Sequence, residues 1–427
     1  MIGAARMAKI VRGNPGPRDA VRRRLMDPRP VADISEAPPR RSPWLTILIV
    51  YAGGVVAAVS LGKFSSVGPD VAAQLGLSLS ELGWVISAVV GVGAVVGLPA
   101  GYLVRRFGTE RSLVAGLATI ALAGAASMAA NDFAWLLIAR GVEGIGYVLV
   151  TISCPALILR LAHERDRGTA LSVWATFVPV GLGAATLAGG AAGSALGWRG
   201  WVGLIAGLTL LMAVVSWVRL PRAAGAQAAG PVPRARALAW PGVLAGAFCL
   251  TALVTIPVVV LLPTLLIEQY GRSAAAAGAL TSVISLLGVA GGLAVGVLLR
   301  KGVRVGVLAL SGLLVVPAAW ILYSGGSSGE ALTGAGVISM ENGFLGALVF
   351  AALPLVLERL DHADVGNGVI AQAGSLGSLL GPPMFGLVAG ELGYPALIPV
   401  IAVGSLAAVG ALLLIGRRAA RPLPAAD

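Results

Sequence analysis

Residues 91–106 read GVGAVVGLPAGYLVRR, and residues 286–301 read LLGVAGGLAVGVLLRK. Laid over one another at an offset of 195 residues, Gly93, Gly97 and Gly101 fall on Gly288, Gly292 and Gly296, and Arg105-Arg106 falls on Arg300-Lys301. Two further matches follow in the same order. PALILRLAH (155–163) pairs with PLVLERLDH (354–362) at an offset of 199, and LGW (196–198) pairs with LGY (392–394) at 196. An ordered series at a nearly constant offset is the mark of an internal duplication. Within each copy the glycines recur every fourth residue, along one face of a helix. Small residues at that spacing let helix backbones approach closely where apolar side chains gain nothing over lipid.

Composition puts the duplicated unit in a membrane. Hydrophobic residues make up 57% of the chain and charged residues 12%, against roughly 25% charged in a soluble domain; mean hydropathy is +0.90. The apolar runs are long, continuous and rich in Ala, Leu, Val and Gly, whereas membrane strands alternate polar and apolar over about ten residues. The expected fold is an all-α integral membrane protein with twelve transmembrane helices. The spans lie near 44–66, 81–103, 112–130, 133–158, 168–190, 200–219, 241–266, 277–299, 305–323, 331–357, 367–388 and 396–416, each near the length of about 20 residues that crosses a bilayer. LPRAAGAQAAGPVPRARALA (220–239) is the long polar connection between them. The expected organisation is a disordered basic arm (1–42), a six-helix bundle (43–219), a linker (220–240), a second six-helix bundle (241–416) and a tail (417–427). No cleavable signal precedes the first apolar run, because residues 1–42 are polar and arginine-rich.

The net charge of +12 is distributed by side rather than gathered into a nucleic-acid patch. The arm, the tail and alternate loops carry 27 Lys/Arg, the opposite loops only Arg199 and Arg272, and Lys63 and Arg140 lie inside spans. That bias puts both termini in the cytoplasm and the chain in the cytoplasmic (inner) membrane. No metal-spaced histidine cluster, nucleophile elbow or phosphate loop occurs, and GVGAVVG lacks the preceding strand and following acid of a nucleotide cradle. Neither catalysis nor a cofactor nor a metal is expected. Cys154 and Cys249 fall in apolar runs as small buried hydrophobes. The expected partners are membrane lipid and a small-molecule solute, with protons as a third, around a monomer.

Charges inside the spans carry the functional signal, since an ionised side chain there costs from about 2.5 kcal/mol upward and faces the bundle interior. Arg140 and Glu143 are one helical turn apart and able to pair. Lys63 lies near the end of the first span, where it either snorkels or faces inward. Glu341 and Asn342 interrupt GVISMENGFLGALVF (336–350), about 15 Å into a core roughly 30 Å thick. Glu341 is therefore a proton carrier or a partner of Arg140 or Lys63. At the offset of 199, Glu341-Asn342-Gly343 falls on Val142-Glu143-Gly144, which makes Glu341 one wall of a central cavity facing Arg140. Asp70 is expected outside the membrane, and His163 and His362 as solvated or capping residues of short loops.

Four stretches resemble the major facilitator superfamily of secondary transporters: GYLVRRFGTER (101–111), RGVEGIG (140–146), GLGAATLAGG (181–190) with GWRGW (197–201), and LGPPMFG (380–386). The resemblance implies two pseudo-symmetric six-helix bundles working by alternating access, with the first, fourth, seventh and tenth spans lining the cavity. It makes Lys63, Arg140, Glu143, Glu341 and Asn342 the substrate-binding or coupling set. The glycine ladders, Arg105, Arg106, Gly381 and Pro382 become the gating and helix-packing set. Arg105 stands where the family carries an aspartate facing the eleventh helix, so a latch there must work otherwise. Gly183 is followed by Ala184, not by the proline of drug antiporters, and KFSSVGP (63–69) resembles the cyanate-permease-like branch. The implied function is a permease for a small organic or inorganic anion, with symport or antiport of protons. Efflux of hydrophobic compounds is the alternative, and a non-transporting sensor or assembly factor on the same fold is the alternative of another class.

Overall fold

The computed structural model describes residues 42–220 and 233–419. The basic arm, most of the linker and the end of the tail lie outside the described residues. Helices α1 (Trp44–Leu75), α2 (Leu79–Phe107), α3 (Thr109–Met128), α4 (Phe133–Leu161), α5 (Glu164–Ala175) and α6 (Phe177–Arg219) form the first half. Helices α7 (Ala239–Glu268), α8 (Ala274–Arg300), α9 (Val305–Ala309), α10 (Val315–Tyr323), α11 (Ser328–Val356), α12 (Ala363–Leu392) and α13 (Leu397–Ala419) form the second. Among the described residues, ten helical segments are long and apolar enough to cross a bilayer. One of them, Glu164–Arg219, turns at Gly197, whose φ of 68° and ψ of 166° only glycine adopts readily, and so crosses twice. With α12 the total is twelve crossings in two six-helix bundles.

Four of the helices that start on the face away from the arginine-rich loops carry side-chain caps. Ser78, Asp132, Ser273 and Ser327 accept from the backbone N–H three residues on, at 3.2, 2.8, 3.3 and 3.3 Å. These caps satisfy donors that the first helical turn leaves without partners. Ser273 and Ser327 stand 195 residues beyond Ser78 and Asp132, so the duplication extends to the caps.

Packing repeats in the same way. Helix α1 lies on α6 as α7 lies on α12, α2 on α4 as α8 on α11, and α3 on α4 as α10 on α11. Each half holds two large apolar cores: Leu113, Leu157 and Trp174 in one and Phe64, Trp198 and Trp201 in the other, answered by Leu244, Leu345 and Leu412 and by Val258, Ile338 and Phe385. Two departures from the expected spans have local causes. Helix α1 accommodates Pro69 and runs on to a left-handed cap at Gly76, well past the expected end at 66. The ninth span is broken by a 3-10 turn at Leu310–Leu314, where Ser311 and Gly312 favour helix poorly and Pro317 has no N–H to give to Leu313.

The halves meet along both glycine ladders. Methyl groups at Gly97 and Gly101 would lie 2.6 Å from Gln372 Cβ and 3.0 Å from the Asp364 carbonyl, both on α12. Methyl groups at Gly292 and Gly296 would lie 3.1 Å from Thr176 Cγ2 and 3.1 Å from Ser172 Cβ, in and just after α5. Within the second half Gly343 seats directly on the Gly288 carbonyl, a backbone-to-backbone contact between α11 and α8. Gly343→Ala is expected to lower stability by about 1–3 kcal/mol, as overpacking does. Gly207→Ala, with open space around the new methyl, should leave the thermal midpoint of the purified protein unchanged or raised.

Candidate functional site

A cavity of about 440 Å³ lies between the halves, within the usual range for small-molecule sites. Leu61 of α1, Tyr147 and Thr151 of α4, Phe248 and Ile256 of α7, and Asn342 and Phe350 of α11 line it, joined by residues of α2, α5, α6, α8 and α12. Helices α3, α10 and α13 contribute no lining residue. Tyr147, Phe177, Phe248 and Phe350 supply rings; Thr151, Thr186, Ser282, Ser285, Ser339, Ser375 and Ser378 supply hydroxyls. Among the described residues, no Lys, Arg, Asp or Glu stands in the wall.

The predicted charges gather behind that wall instead. Lys63 Nζ lies 2.8 Å from Glu143 Oε1, and Arg140 Nη1 lies 2.8 Å from Glu143 Oε2, with all three side chains at most 1% exposed. Ser60 Oγ donates to Glu143 as well. Arg140 also reaches four backbone carbonyls, giving Nε to Val85 at 2.9 Å, Nη1 to Ser60 at 3.2 Å, and Nη2 to Leu61 and Ile86 at 3.1 and 3.4 Å. Its fork thus ties α4 to α1 and α2, with the Phe64 ring 5.2 Å from the guanidinium. Snorkelling is ruled out for Lys63, because α1 continues to Leu75 and Trp201 Nε1 donates to the Lys63 carbonyl at 2.9 Å.

Glu341 does not face Arg140. It is buried, and the Ser311 hydroxyl in the 3-10 turn donates to it at 2.9 Å. Its neighbour Asn342 takes the cavity wall and meets Thr255 Oγ at 2.8 Å. The helical step of 100° per residue turns the two adjacent side chains in different directions, and here the amide takes the cavity side. Tyr147 is the lining residue that the charge-based reading missed. Its signal was present, one turn beyond Glu143 in a run that is otherwise apolar or glycine.

The arginine-rich face is closed by ion pairs between the halves. Arg160 Nη2 lies 2.7 Å from Asp364 Oδ2, and Arg105 donates to the Asp361 carbonyl with its guanidinium 3.9 Å from the Asp361 carboxylate. Asp364 occupies the first turn of α12, where the helix dipole favours negative charge. The latch thus has cations on the first half and acids at the start of α12, which resolves the sign conflict raised by Arg105. Burial works against the Asp361 carboxylate, yet the hydrogen bonds and charge of Arg359, with His362 and Arg105, hold it below the usual range. Arg106 is exposed and lies over the Phe107 ring at 5.8 Å. His362 is buried rather than solvated, at 5% exposure. Deeper in, Gln372 of α12 enters the α2 ladder, accepting from Leu98 N at 3.0 Å and donating to the Ala94 carbonyl at 3.1 Å. Gly381 packs α12 onto α7, since a methyl there would lie 2.6 Å from Pro257 Cγ, and Pro382 follows it within α12.

A sequence model of the Major Facilitator Superfamily matches residues 45–382. The 3-(3-hydroxy-phenyl)propionate transporter of Escherichia coli K12 is 30% identical over 410 residues, covering 90% of this chain and 96% of that protein. Among solved structures, the human organic anion transporter MFSD10 superposes with a TM-score of 0.70 at 16% identity, over 87% of this chain and 99% of that one. FucP in the outward conformation gives 0.70 at 16% identity, over 90% and 100%. At such identities the two structures speak for the fold alone.

Removing Glu143 leaves two cations in an apolar interior, so Glu143→Gln is expected to destabilise by about 3–5 kcal/mol. Lys63→Met leaves the Arg140–Glu143 pair intact and should cost less, and Lys63→Met combined with Glu143→Gln should recover part of the loss. Thermal midpoints of the three purified variants check the order. At the latch, Asp364→Arg sets a third cation against Arg105 and Arg160. Maleimide labelling of Val365→Cys, a position 0% exposed here, should rise in a background without Cys154 and Cys249. Adding Arg160→Asp should bring the labelling back down.

Proposed function

This chain belongs to the major facilitator superfamily, and from that premise we propose that it moves a small aromatic carboxylate across the membrane by alternating access. The observation that carries the reading is the cavity between the halves, four aromatic rings and a set of hydroxyls around about 440 Å³. Rings favour a flat apolar body, since aromatic pairs add about 0.5–1.5 kcal/mol beyond area burial. Behind Leu61 the buried cluster of two cations and one carboxylate carries a net charge of +1, a field that attracts an anion without desolvating a cation in the wall. The E. coli relative, 30% identical over almost its full length, is named for a hydroxyphenylpropionate.

The positive-inside bias supports an inner-membrane location with the arginine-rich face, and both termini, in the cytoplasm; the closed latch on that face then makes this the outward-facing state. For coupling, Glu143 has both oxygens engaged by cations, whereas Glu341 meets one hydroxyl, so Glu341 is the proton acceptor of this proposal. The absence of charge from the cavity wall favours a second reading, export of an apolar compound.

Proteoliposomes separate the two. 3-Phenylpropionate should accumulate when the outside is acidic, and Glu341→Gln should keep exchange across the membrane but lose pH-driven accumulation. Movement of tetraphenylphosphonium with none of 3-phenylpropionate would decide for export. Unchanged accumulation in Glu341→Gln would remove that residue from coupling.

A further inference from the structure

The duplication that built the fold also built a polar pair twice, and the two copies have diverged in a way that locates the solute. In the first half Ser60 of α1 donates to Glu143 of α4. In the second half Thr255 of α7 meets Asn342 of α11 at 2.8 Å. Thr255 stands 195 residues beyond Ser60 and Asn342 stands 199 beyond Glu143, the offsets of the repeat itself. The first copy is closed, because Lys63 and Arg140 occupy its carboxylate and none of these residues lines the cavity. The second copy is open, because Asn342 lines the cavity.

Counting protons shows what the open copy offers. A hydroxyl carries one hydrogen, yet Thr255 Oγ lies 2.6 Å from the Thr251 carbonyl and 2.8 Å from the Asn342 side chain. If Thr255 donates to Asn342, both amide hydrogens of Asn342 are free. If Thr255 donates to Thr251, Asn342 must turn its amide and donate to Thr255, which frees one hydrogen and the oxygen. Either way Asn342 keeps at least one N–H for the cavity.

Most hydroxyls of the wall are committed elsewhere. Thr151, Thr186, Ser282, Ser285 and Ser378 donate to their own helix backbones at 2.8–3.0 Å, which leaves them as acceptors. Ser375 lies against Gly93 and Ser339 against Gly288, in the ladder contacts. The Tyr147 hydroxyl has no hydrogen-bond partner among the described residues. The repeat places Gly346 where the first half has Tyr147, and Gly346 also lines the cavity. One half projects a donor and the other leaves room.

We propose that Tyr147 and Asn342 are the anchor of the solute site, giving O–H and N–H to an acceptor oxygen, a carboxylate in the reading above, from equivalent helices of the two halves. The acceptor hydroxyls elsewhere in the wall then suit a hydroxyl group on the solute. This inference rests on the aromatic-carboxylate reading for the identity of the acceptor. Bound there, the solute links α4 to α11 across the interface along which the halves separate.

The test is binding to the purified full chain, read by tryptophan fluorescence and by the thermal midpoint, with 3-phenylpropionate and 3-phenylpropan-1-ol as probes. A hydrogen bond to a charged group contributes about 1.5–3 kcal/mol, so Tyr147→Phe and Asn342→Leu should each weaken 3-phenylpropionate about tenfold or more. The alcohol should bind more weakly than the carboxylate to the native chain, and the variants should narrow that gap. Tyr147→Phe retains the ring, so its thermal midpoint without probe should match the native chain and exclude a folding defect. Carboxylate binding that is native in both variants would overturn the anchor and leave the transport reading standing. A native chain that binds the alcohol but not the carboxylate would overturn the aromatic-carboxylate reading, and the anchor with it.

Discussion

Glu143 holding Lys63 and Arg140 in the middle of the first half is the interaction on which the rest of the site depends. Hydrocarbon offers no partner to a charge or to a freed backbone group, so three ionised groups persist there only by answering one another. Arg140 goes further and gives N–H groups to carbonyls of α1 and α2. The relative placement of three cavity-forming helices is therefore set by one guanidinium. Two consequences follow: the cations are withdrawn from the cavity wall, and their surplus positive charge remains close behind it. That arrangement is what the proposed aromatic carboxylate would use: a positive field behind a wall apolar enough to hold a ring.

The interface between the halves follows the opposite principle. It is made of glycines and backbone, with α2 on α12 and α8 on α5, and few long side chains have to repack when it parts. Among the described residues, the specific contacts include the Arg160–Asp364 and Arg105–Asp361 pairs at the arginine-rich end, the Gln372 amide inserted into α2, and the Thr169 hydroxyl on the Gly296 carbonyl. Smooth surfaces closed by a small number of polar fasteners suit a rigid-body rocking of one bundle against the other. In the proposed rocking, the fasteners are the contacts that must break and the glycines leave the two faces free to part.

Much of this was legible in the sequence because duplication and hydrophobicity are written in residue types. The offset of 195–199 residues gave two equivalent halves, and the four-residue glycine spacing gave the faces that touch. What escaped was angular. Glu341 and Asn342 are adjacent in the chain, and no composition rule says which of them a helix turns toward the cavity. The structure gives the cavity to the amide and the 3-10 turn to the acid. The depth of Lys63 was left open in the sequence, and it was decided by α1 running past the expected end at 66, through Pro69, to Leu75. Tyr147 escaped because an uncharged phenol in a membrane span raises no alarm by charge. The sign of the latch became readable only when the acids of α12 were seen opposite Arg105 and Arg160.

The two copies of the hydroxyl–acceptor pair show how a symmetric fold acquires an asymmetric site. A carboxylate at position 143 requires cations, and once Lys63 and Arg140 supply them the group is satisfied and structural. An amide at the equivalent position 342 requires none, and a single threonine cannot satisfy it. Asn342 is half-buried in the cavity wall and keeps an N–H that no described residue takes up. In the proposed anchor, the incomplete pair of the second half meets the solute together with the Tyr147 hydroxyl of the first. The same backbone, duplicated, carries a closed polar pair in one half and an open one in the other.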